Sequence, residues 1–332
     1  MDDLIAEITS RMAESKNYAD DFLLMNNKYS PIKLSDKNFN SILNARLLNL
    51  LFVDGGNAVL FESAGFCLGF IRVSGIVYSE NKRVERKFKE YHVFIYEKDG
   101  KFFVKTFPEN SFNKMTFDPD DESIRNGIER ANPSRILSII RRLAEIECAY
   151  SLDSEKVDAI ILDGTLESRY PFETSYMNKL SLTKKTCSIG KTCSLTTNLG
   201  VSITKRLNDF HKYSNTWYYY PIVSNNNPSH NAEIYFSKLH AKSDYVFRVE
   251  IQREFSKNVN DLFYSLCENS KDSVFLGYPY GFVDVDQHAR ISEDEKKMLQ
   301  IKFSSKMGKE WTEFSKHLKS MDAHGILDKI RF

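Results

Sequence analysis

Apolar residues recur along the chain with two different spacings, which predict helices and strands. Near the start, Leu4, Ile8 and Met12 follow a helical repeat after the acidic residue Asp2, so we predict an amphipathic helix over about residues 2–26. Such a helix could pack on its own domain or on a second copy of the chain. The spacing also predicts a helix from about 132 to 150 and Lys/Glu-rich helices near the C-terminal end.

Short apolar runs predict buried strands, and two of them are followed by the same dipeptide. Residues 47–53 end at Asp54-Gly55-Gly56, and residues 157–162 end at Asp163-Gly164. Each pattern is typical of a buried strand that ends in a tight turn. Further strands are expected at 66–79, at 91–107 with a hairpin turn at 98–101, at 233–239 and at 245–251, with a helix near 257–268.

The resulting order is helix, strands, helix, strand, helix, strands, helix. This order predicts an α/β fold in which buried central strands are flanked by helices, with helical additions at both ends. We find no internal repeat and no interdomain linker, so a single domain is expected over residues 1–332.

Charge and cysteine content narrow the class of protein. Lys plus Arg total 46 and Asp plus Glu 45, which excludes a basic field over the whole molecule, so nucleic-acid binding would need local patches. The five cysteines form no CxxC pair and indicate reduced thiols. Acidic residues at the start and the lack of a long apolar stretch predict a cytoplasmic protein without a membrane segment.

The two Asp-Gly sites are the first candidates for chemistry. If their strands are neighbours, Asp54 and Asp163 lie side by side, and a divalent cation would relieve the repulsion between their carboxylates. Oxygen ligands favour Mg²⁺ or Mn²⁺. A common turn would explain one copy of the dipeptide, whereas two copies after matching strands make a metal site about as plausible as turns alone.

The helix between these strands offers a third carboxylate. At 100° per residue, Glu147 lies on the apolar face, whereas Glu145 lies on the opposite side and is expected to be solvated. A buried glutamate requires a partner or a metal, so Glu147 is the expected ligand, with a salt bridge as the alternative.

Other polar groups could join such a site. The segment from Gly277 to His288 contains Tyr278, Asp284 and Asp286, although by itself it is more typical of a polar turn that leads into a helix. Among the basic clusters, the best phosphate-binding candidates accompany Ser and Thr, and they include Lys184, Lys185 and Lys191. The aromatic run 217–220 could stack bases but is more typical of core or interface.

The ordered motifs resemble the NurA family of nucleases. The matching stretches are Phe52-Val53-Asp54-Gly55-Gly56, Ile160 to Leu166, Tyr235 to His240 with Phe247 to Glu250, and Gly277-Tyr278-Pro279-Tyr280. The resemblance implies a ribonuclease-H-like fold with a mixed central sheet, a carboxylate metal site and a homodimer.

The resemblance also implies roles for individual residues. Asp54 and Asp163 match the strand-end aspartates, and Tyr278 matches the tyrosine of the late motif. Glu147 fits the helix glutamate, with Glu145 as the alternative. Asp286 falls at the position of the last metal ligand, where the family often has His, and His288 is its rival.

The implied function is a metal-dependent DNA nuclease. Family members use Mn²⁺ or Mg²⁺, act as 5′-to-3′ exonucleases and single-strand endonucleases, and work with a HerA-like hexameric ATPase in DNA-end processing, in repair or in defence against foreign DNA. The alternative is a non-catalytic DNA-binding or docking subunit of the translocase complex. Clustered acids argue against this alternative, whereas Asp286 and Gly281 depart from the family pattern.

Overall fold

The computed structural model describes residues 1–14, 21–125, 127–210 and 215–319. Its α-helices are α1 (Asp2–Glu14), α2 (Pro133–Ser151), α3 (Glu173–Ser181), α4 (Ile203–Phe210), α5 (Val259–Asn269), α6 (Tyr280–Ala289), α7 (Glu293–Met307) and α8 (Trp311–Lys319). Its strands are β1 (Tyr29–Pro31), β2 (Phe39–Ser41), β3 (Leu50–Ser63), β4 (Phe66–Ser79), β5 (Lys82–Lys98), β6 (Lys101–Phe107), β7 (Thr116–Phe117), β8 (Ala159–Asp163), β9 (Thr186–Gly190), β10 (Trp217–Tyr219), β11 (Val223–Asn225), β12 (Ala232–Lys238) and β13 (Phe247–Gln252).

Most of these strands form one mixed sheet. Its order is β2-β10-β12-β13-β9-β8-β3-β4-β5-β6-β7, and β1 pairs separately with β11. The short strand β8 runs parallel to both of its neighbours, β3 and β9, whereas β3 and β4 form a long antiparallel pair. The predicted α/β class with a mixed central sheet and flanking helices is confirmed.

The two faces of the sheet carry separate cores because successive side chains of a strand point in opposite directions. On β3, Leu51 and Val53 join the core under α2, whereas Leu50 and Phe52 join the core under α5 and α6. The Phe52 ring meets Phe282 of α6 edge-on, with ring centroids 5.1 Å apart. Burial of each such side chain stabilises the fold by about 1.5–3 kcal/mol.

The turn predicted after Val53 was wrong, because β3 continues through Asp54, Gly55 and Gly56 to Ser63. Glycine serves close packing here. A Cβ on Gly55 would lie 2.8 Å from Glu145 Oε1 of α2, and a Cβ on Gly56 would lie 2.3 Å from the carbonyl oxygen of Ala289 in α6. The two glycines therefore allow helices to approach one strand from both faces.

Other predicted helices and strands agree with the structure to different degrees. The first helix is described over Asp2–Glu14, residues 15–20 lie outside the described ranges, and residues 21–26 are not helical. Strand β9 lies in a stretch for which we predicted no strand. The hairpin at 98–101 is confirmed, with positive φ at Asp99 and Gly100.

The remaining predictions concern the edges of the molecule. The C-terminal additions are confirmed: Phe61 of β3 packs against Trp311 and Phe314 of α8, with ring centroids 5.4 and 5.7 Å away. In the aromatic run, Trp217 and Tyr219 are buried in the core, as the more typical interpretation predicted. No helix in the described ranges is both long and apolar enough to cross a lipid bilayer.

Candidate metal and active site

The carboxyl end of β8 brings the two Asp-Gly aspartates together. Val53 of β3 pairs in parallel with Leu162 of β8, so the residues that follow, Asp54 and Asp163, lie side by side. The ammonium of Lys191, just after β9, lies 3.8 Å from Asp54 Oδ2 and 3.0 Å from Asp163 Oδ2. Three adjacent strands thus supply two carboxylates and one cation to one point.

Asp54 lies in the most acidic part of this cluster. Its side chain is buried, and Oδ1 accepts a hydrogen bond of 2.8 Å from the Gly55 amide. Burial first, and then the carboxylates of Glu145 and Asp163, raise the pKa of Asp54 to about 7 against the opposing effects of Lys191 and the Gly55 amide. Negative charge is therefore in excess around Asp54, as expected at a site that binds a cation.

The helix glutamate of this cluster is Glu145, and the predicted faces of α2 were wrong. Glu145 is buried, forms ion pairs with Arg141 and Arg142, and lies over Gly55. Burial raises the pKa of Glu145, and Asp163 adds to this, against the opposing effect of the two arginines. Glu147 is instead partly exposed, with a carboxylate 3.9 Å from the Lys89 ammonium.

The helical periodicity failed here because α2 is buried on more than one side. Three side chains of α2 and its C-terminal cap lie directly over glycines of the sheet: Leu137 over Gly69, Glu145 over Gly55, and Leu152 over Gly75. The stripe that contains Glu147 also carries core residues, with Ile136, Ile140 and Leu143 all buried. An apolar stripe alone could not show which side of α2 faces the sheet edge that carries Asp54 and Asp163.

The late motif contributes two groups from the other face. Asp286 Oδ1 of α6 lies 3.9 Å from the Lys191 ammonium, and its side chain is half exposed. The buried Tyr278 hydroxyl makes no hydrogen bond to any described residue. Burial, followed by the charges of Asp163, Asp54 and Asp286, raises the pKa of Tyr278, so the phenol stays protonated and can donate.

The remaining polar residues of that motif point elsewhere. Asp284 accepts a 2.7 Å hydrogen bond from the Tyr78 hydroxyl and pairs with Arg83. His288 Nδ1 lies 2.7 Å from the Asp284 carbonyl oxygen. The structure thus brings Asp286, and not His288, to the Lys191 cluster.

The three candidate lysines do not share one place. Lys191 lies among the acids at the carboxyl end of β9, but Lys184 and Lys185 precede that strand and lie at its other end. The Lys185 ammonium contacts Asp153 Oδ1 and the Ser154 carbonyl oxygen, each at 3.0 Å. Lys185 therefore holds a neighbouring loop, and only Lys191 of the three contacts the acidic cluster.

Arginines that we did not single out line the approach to the acids. A cavity of about 450 Å³ on the α2 side is lined by Asp54, Glu145 and Asp163 together with Arg135, Arg141, Arg142 and Arg169. Arg141 Nη1 donates to the Gly55 carbonyl at 2.9 Å, and Arg142 Nη2 donates to the Thr165 carbonyl at 2.6 Å. Guanidinium groups beside carboxylates suit a substrate that carries phosphates.

A buried network fixes the turn after Asp163. Glu250 of β13 accepts hydrogen bonds from the Leu166 amide at 2.7 Å and the Thr165 hydroxyl at 2.9 Å. Burial alone would raise the pKa of Glu250, but Arg248 and His230 lower it to about 2. Glu250 therefore holds the turn at Thr165 and Leu166 in place. In the sequence, the segment from Phe247 to Glu250 was noted only as part of a family motif.

The donors in the cluster fit a hard divalent cation. In the described parts of the chain, no three His, Cys, Asp or Glu side chains already form a set of metal ligands, and the Lys191 ammonium lies among the acids instead. The chemistry nevertheless matches Mn²⁺ or Mg²⁺, because the groups are oxygen donors, the acids near Asp54 outweigh the positive charge, and the Tyr278 hydroxyl is unpaired among the described residues.

A mixed sheet that carries acids at the end of a central parallel strand places them where open α/β sheets bind their ligands. The NurA domain model matches residues 48–291, and the chain belongs to the NurA family. The match contains Asp54, Glu145, Asp163, Lys191 and Asp286.

One solved structure shows the same fold. The NurA nuclease from Sulfolobus solfataricus is 14% identical, with a TM-score of 0.54 over 93% of this chain and 95% of that one. A second NurA structure (9% identity, TM-score 0.45, 78% and 88% of the two chains) and Ciona intestinalis endonuclease V bound to inosine-containing DNA (12%, 0.41, 76% and 88%) are more distant. No curated protein sequence matches the chain.

Proposed function

We propose that the chain is a divalent-metal-dependent nuclease that hydrolyses phosphodiester bonds of DNA. The observation that supports this most is the convergence of the Glu145 and Asp163 carboxylates on the buried Asp54, where burial and these two charges raise the pKa of Asp54 to about 7. Asp54, Glu145, Asp163 and Asp286 would hold Mn²⁺ or Mg²⁺. The bound metal would supply an activated water and stabilise charge on the phosphate oxygens.

The other residues of the cluster would act on the DNA itself. The Lys191 ammonium, which contacts Asp54, Asp163 and Asp286, is placed to pair with a phosphate oxygen or with the departing 3′ oxygen. The protonated Tyr278 hydroxyl can donate a hydrogen bond to the phosphate or orient the water. Arg141 and Arg142 line the cavity through which a phosphate backbone would pass.

The finer activity and the partners rest on the family alone. We propose 5′-to-3′ exonuclease and single-strand endonuclease activity, a homodimer, and a HerA-like hexameric ATPase that feeds DNA to the site during end processing, in repair or in defence. Copurification with a HerA-like ATPase and the polarity of digestion of end-labelled DNA test these proposals separately.

The decisive experiment compares variants in which a single carboxylate is removed or neutralised. Asp54→Ala and Asp163→Ala should abolish Mn²⁺-dependent cleavage, and retention of the wild-type rate by either would contradict the site. Glu145→Gln should lower the rate at least 100-fold. Glu147→Gln, on the same helix but beside Lys89, should cleave at the wild-type rate. The reverse result for this pair would restore Glu147 as the ligand.

A second candidate is a docking subunit without catalysis. The observation that favours it is that the Lys191 ammonium contacts three of the acids and balances part of their charge. It predicts binding to the ATPase but neither heat from Mn²⁺ in calorimetry nor cleavage. Mn²⁺ binding together with cleavage would exclude this candidate.

A further inference from the structure

A second cleft adjoins the acidic cluster on the α6 side. It has a volume of about 370 Å³, and its walls are largely aromatic. Lys191 and Asp286 form one part of its lining and Tyr278 belongs to another, so the cleft shares three residues with the candidate active site. The principal aromatic residues of this aromatic cleft are Tyr245, Phe247, Phe275 and Tyr278.

The aromatic residues form a stack with a buried and an exposed layer. Tyr245 and Phe275 are 56% and 42% exposed, and their rings are 5.5 Å apart between centroids at an interplanar angle of 30°. Phe247 and Tyr278 lie beneath them and are buried, with the Phe275 and Tyr278 centroids 5.2 Å apart. Two large π-faces are thus held at the surface by packing from below.

We propose that the aromatic cleft binds an unpaired nucleobase of the DNA strand whose phosphate lies at the acidic cluster. This inference rests on the proposed function and names the substrate: single-stranded DNA, or a duplex end whose last bases are frayed. Base–aromatic stacking accepts any base because every base has a π-face. A base inside a duplex is already stacked and paired, so it would first have to leave the helix to enter the cleft.

The position of the positive charge favours a nucleotide over a purely apolar ligand. The Lys191 ammonium stands at the boundary between the cleft and the carboxylates, 3.0 Å from Asp163. A strand that crosses this boundary would place a phosphate at the ammonium and the attached base on the aromatic rings. The arginine-lined cavity lies on the other side of the acids, so the backbone would meet positive groups on both sides.

The test measures stacking and cleavage separately. Single-stranded DNA that carries 2-aminopurine is titrated with protein in Ca²⁺, and gels verify that the strand stays intact. Wild-type protein should quench the fluorescence, whereas Tyr245→Leu and Phe275→Leu should lose most of the quenching and bind about tenfold more weakly, the order of one lost stack. Phe107→Leu is the matched control, because Phe107 is 58% exposed on β6, three strands from β3.

The same variants are then assayed with Mn²⁺ on frayed and blunt duplexes. We expect wild type to prefer the frayed end and the two cleft variants to lose that preference, with thermal unfolding unchanged. Wild-type quenching and end preference in both variants would overturn the inference while the nuclease proposal stands. If wild type cleaves nothing, the quenching in Ca²⁺ still decides whether the cleft binds a base. Binding of a protein segment, with no base quenching, would also overturn it.

Discussion

Asp54→Asn should stabilise the metal-free protein while it abolishes cleavage. The raised pKa of about 7, against 3.8 for an ordinary aspartate, means that the folded protein keeps a proton at Asp54 that the unfolded chain has lost. Each pH unit in this window costs about 1.4 kcal/mol of stability. The free energy of unfolding of wild type should therefore fall as the pH rises from about 4 to about 7.

The magnitude follows from the width of this window. A pKa shift of about three pH units corresponds to roughly 4 kcal/mol, and entry of water into the cluster reduces this value. We therefore expect the free energy of unfolding of Asp54→Asn to exceed that of wild type by about 2–4 kcal/mol at pH 8. Asparagine keeps an oxygen that can accept the hydrogen bond from the Gly55 amide, but its side chain cannot ionise. The stability of the variant relative to wild type should accordingly be greatest above pH 7 and decline toward pH 4.

The assay is denaturant unfolding in a chelator at several pH values, with Asp158→Asn as the matched control. Asp158 is a buried aspartate at the other end of the β8 segment, where burial raises its pKa but the Asn49 amide, Lys257 and Arg46 lower it overall. The control should therefore be destabilised, and more so at pH 8 than near pH 3. If Asp54→Asn is no more stable than wild type at pH 8, the acids are already neutralised and the argument for a cation site fails.

Three further predictions test the packing and the charges around the site. Gly56→Ala would place its Cβ 2.3 Å from the Ala289 carbonyl oxygen and should lower the free energy of unfolding by about 2 kcal/mol or more. The control Gly65→Ala has open space around its Cβ and should change the free energy of unfolding by less than about 0.5 kcal/mol. Equal melting temperatures of the two variants would contradict the close approach of α6 to β3. Glu250→Gln should destabilise the fold by about 3–5 kcal/mol at pH 7 and by progressively less as the pH falls toward 2, because the Glu250 carboxylate loses its stabilising charge as the pH approaches its lowered pKa. A loss of stability in urea unfolding that does not depend on pH would show that the charge of Glu250 does not stabilise the fold. Lys191→Gln should bind Mn²⁺ in calorimetry at least as tightly as wild type, because the ammonium that competes for the carboxylates is removed. The same variant should cleave DNA more than tenfold more slowly than wild type. Weaker Mn²⁺ binding would show that Lys191 does not compete with the metal.

Much of the framework was accessible from local pattern. The apolar runs that end at Asp54 and Asp163 identified the two strands that meet at the site, and Asn132 before Pro133 marked the start of α2. These features depend on neighbours in the chain, so a sequence contains them directly. The exposed stack of Tyr245 and Phe275 gave no such signal, because the two residues lie 30 positions apart in the chain.

The glutamates of α2 show where local pattern stops. The sequence by itself determined that a helix with carboxylates lies between two buried strands, since period and capping are local properties. Which carboxylate reaches Asp54 was decided only when α2 packed against the bare backbone of Gly55, which puts Glu145 at the acidic edge and Glu147 beside Lys89. Rotation of a helix about its axis depends on the shape of the surface beneath it, and that surface is built from strands distant in sequence.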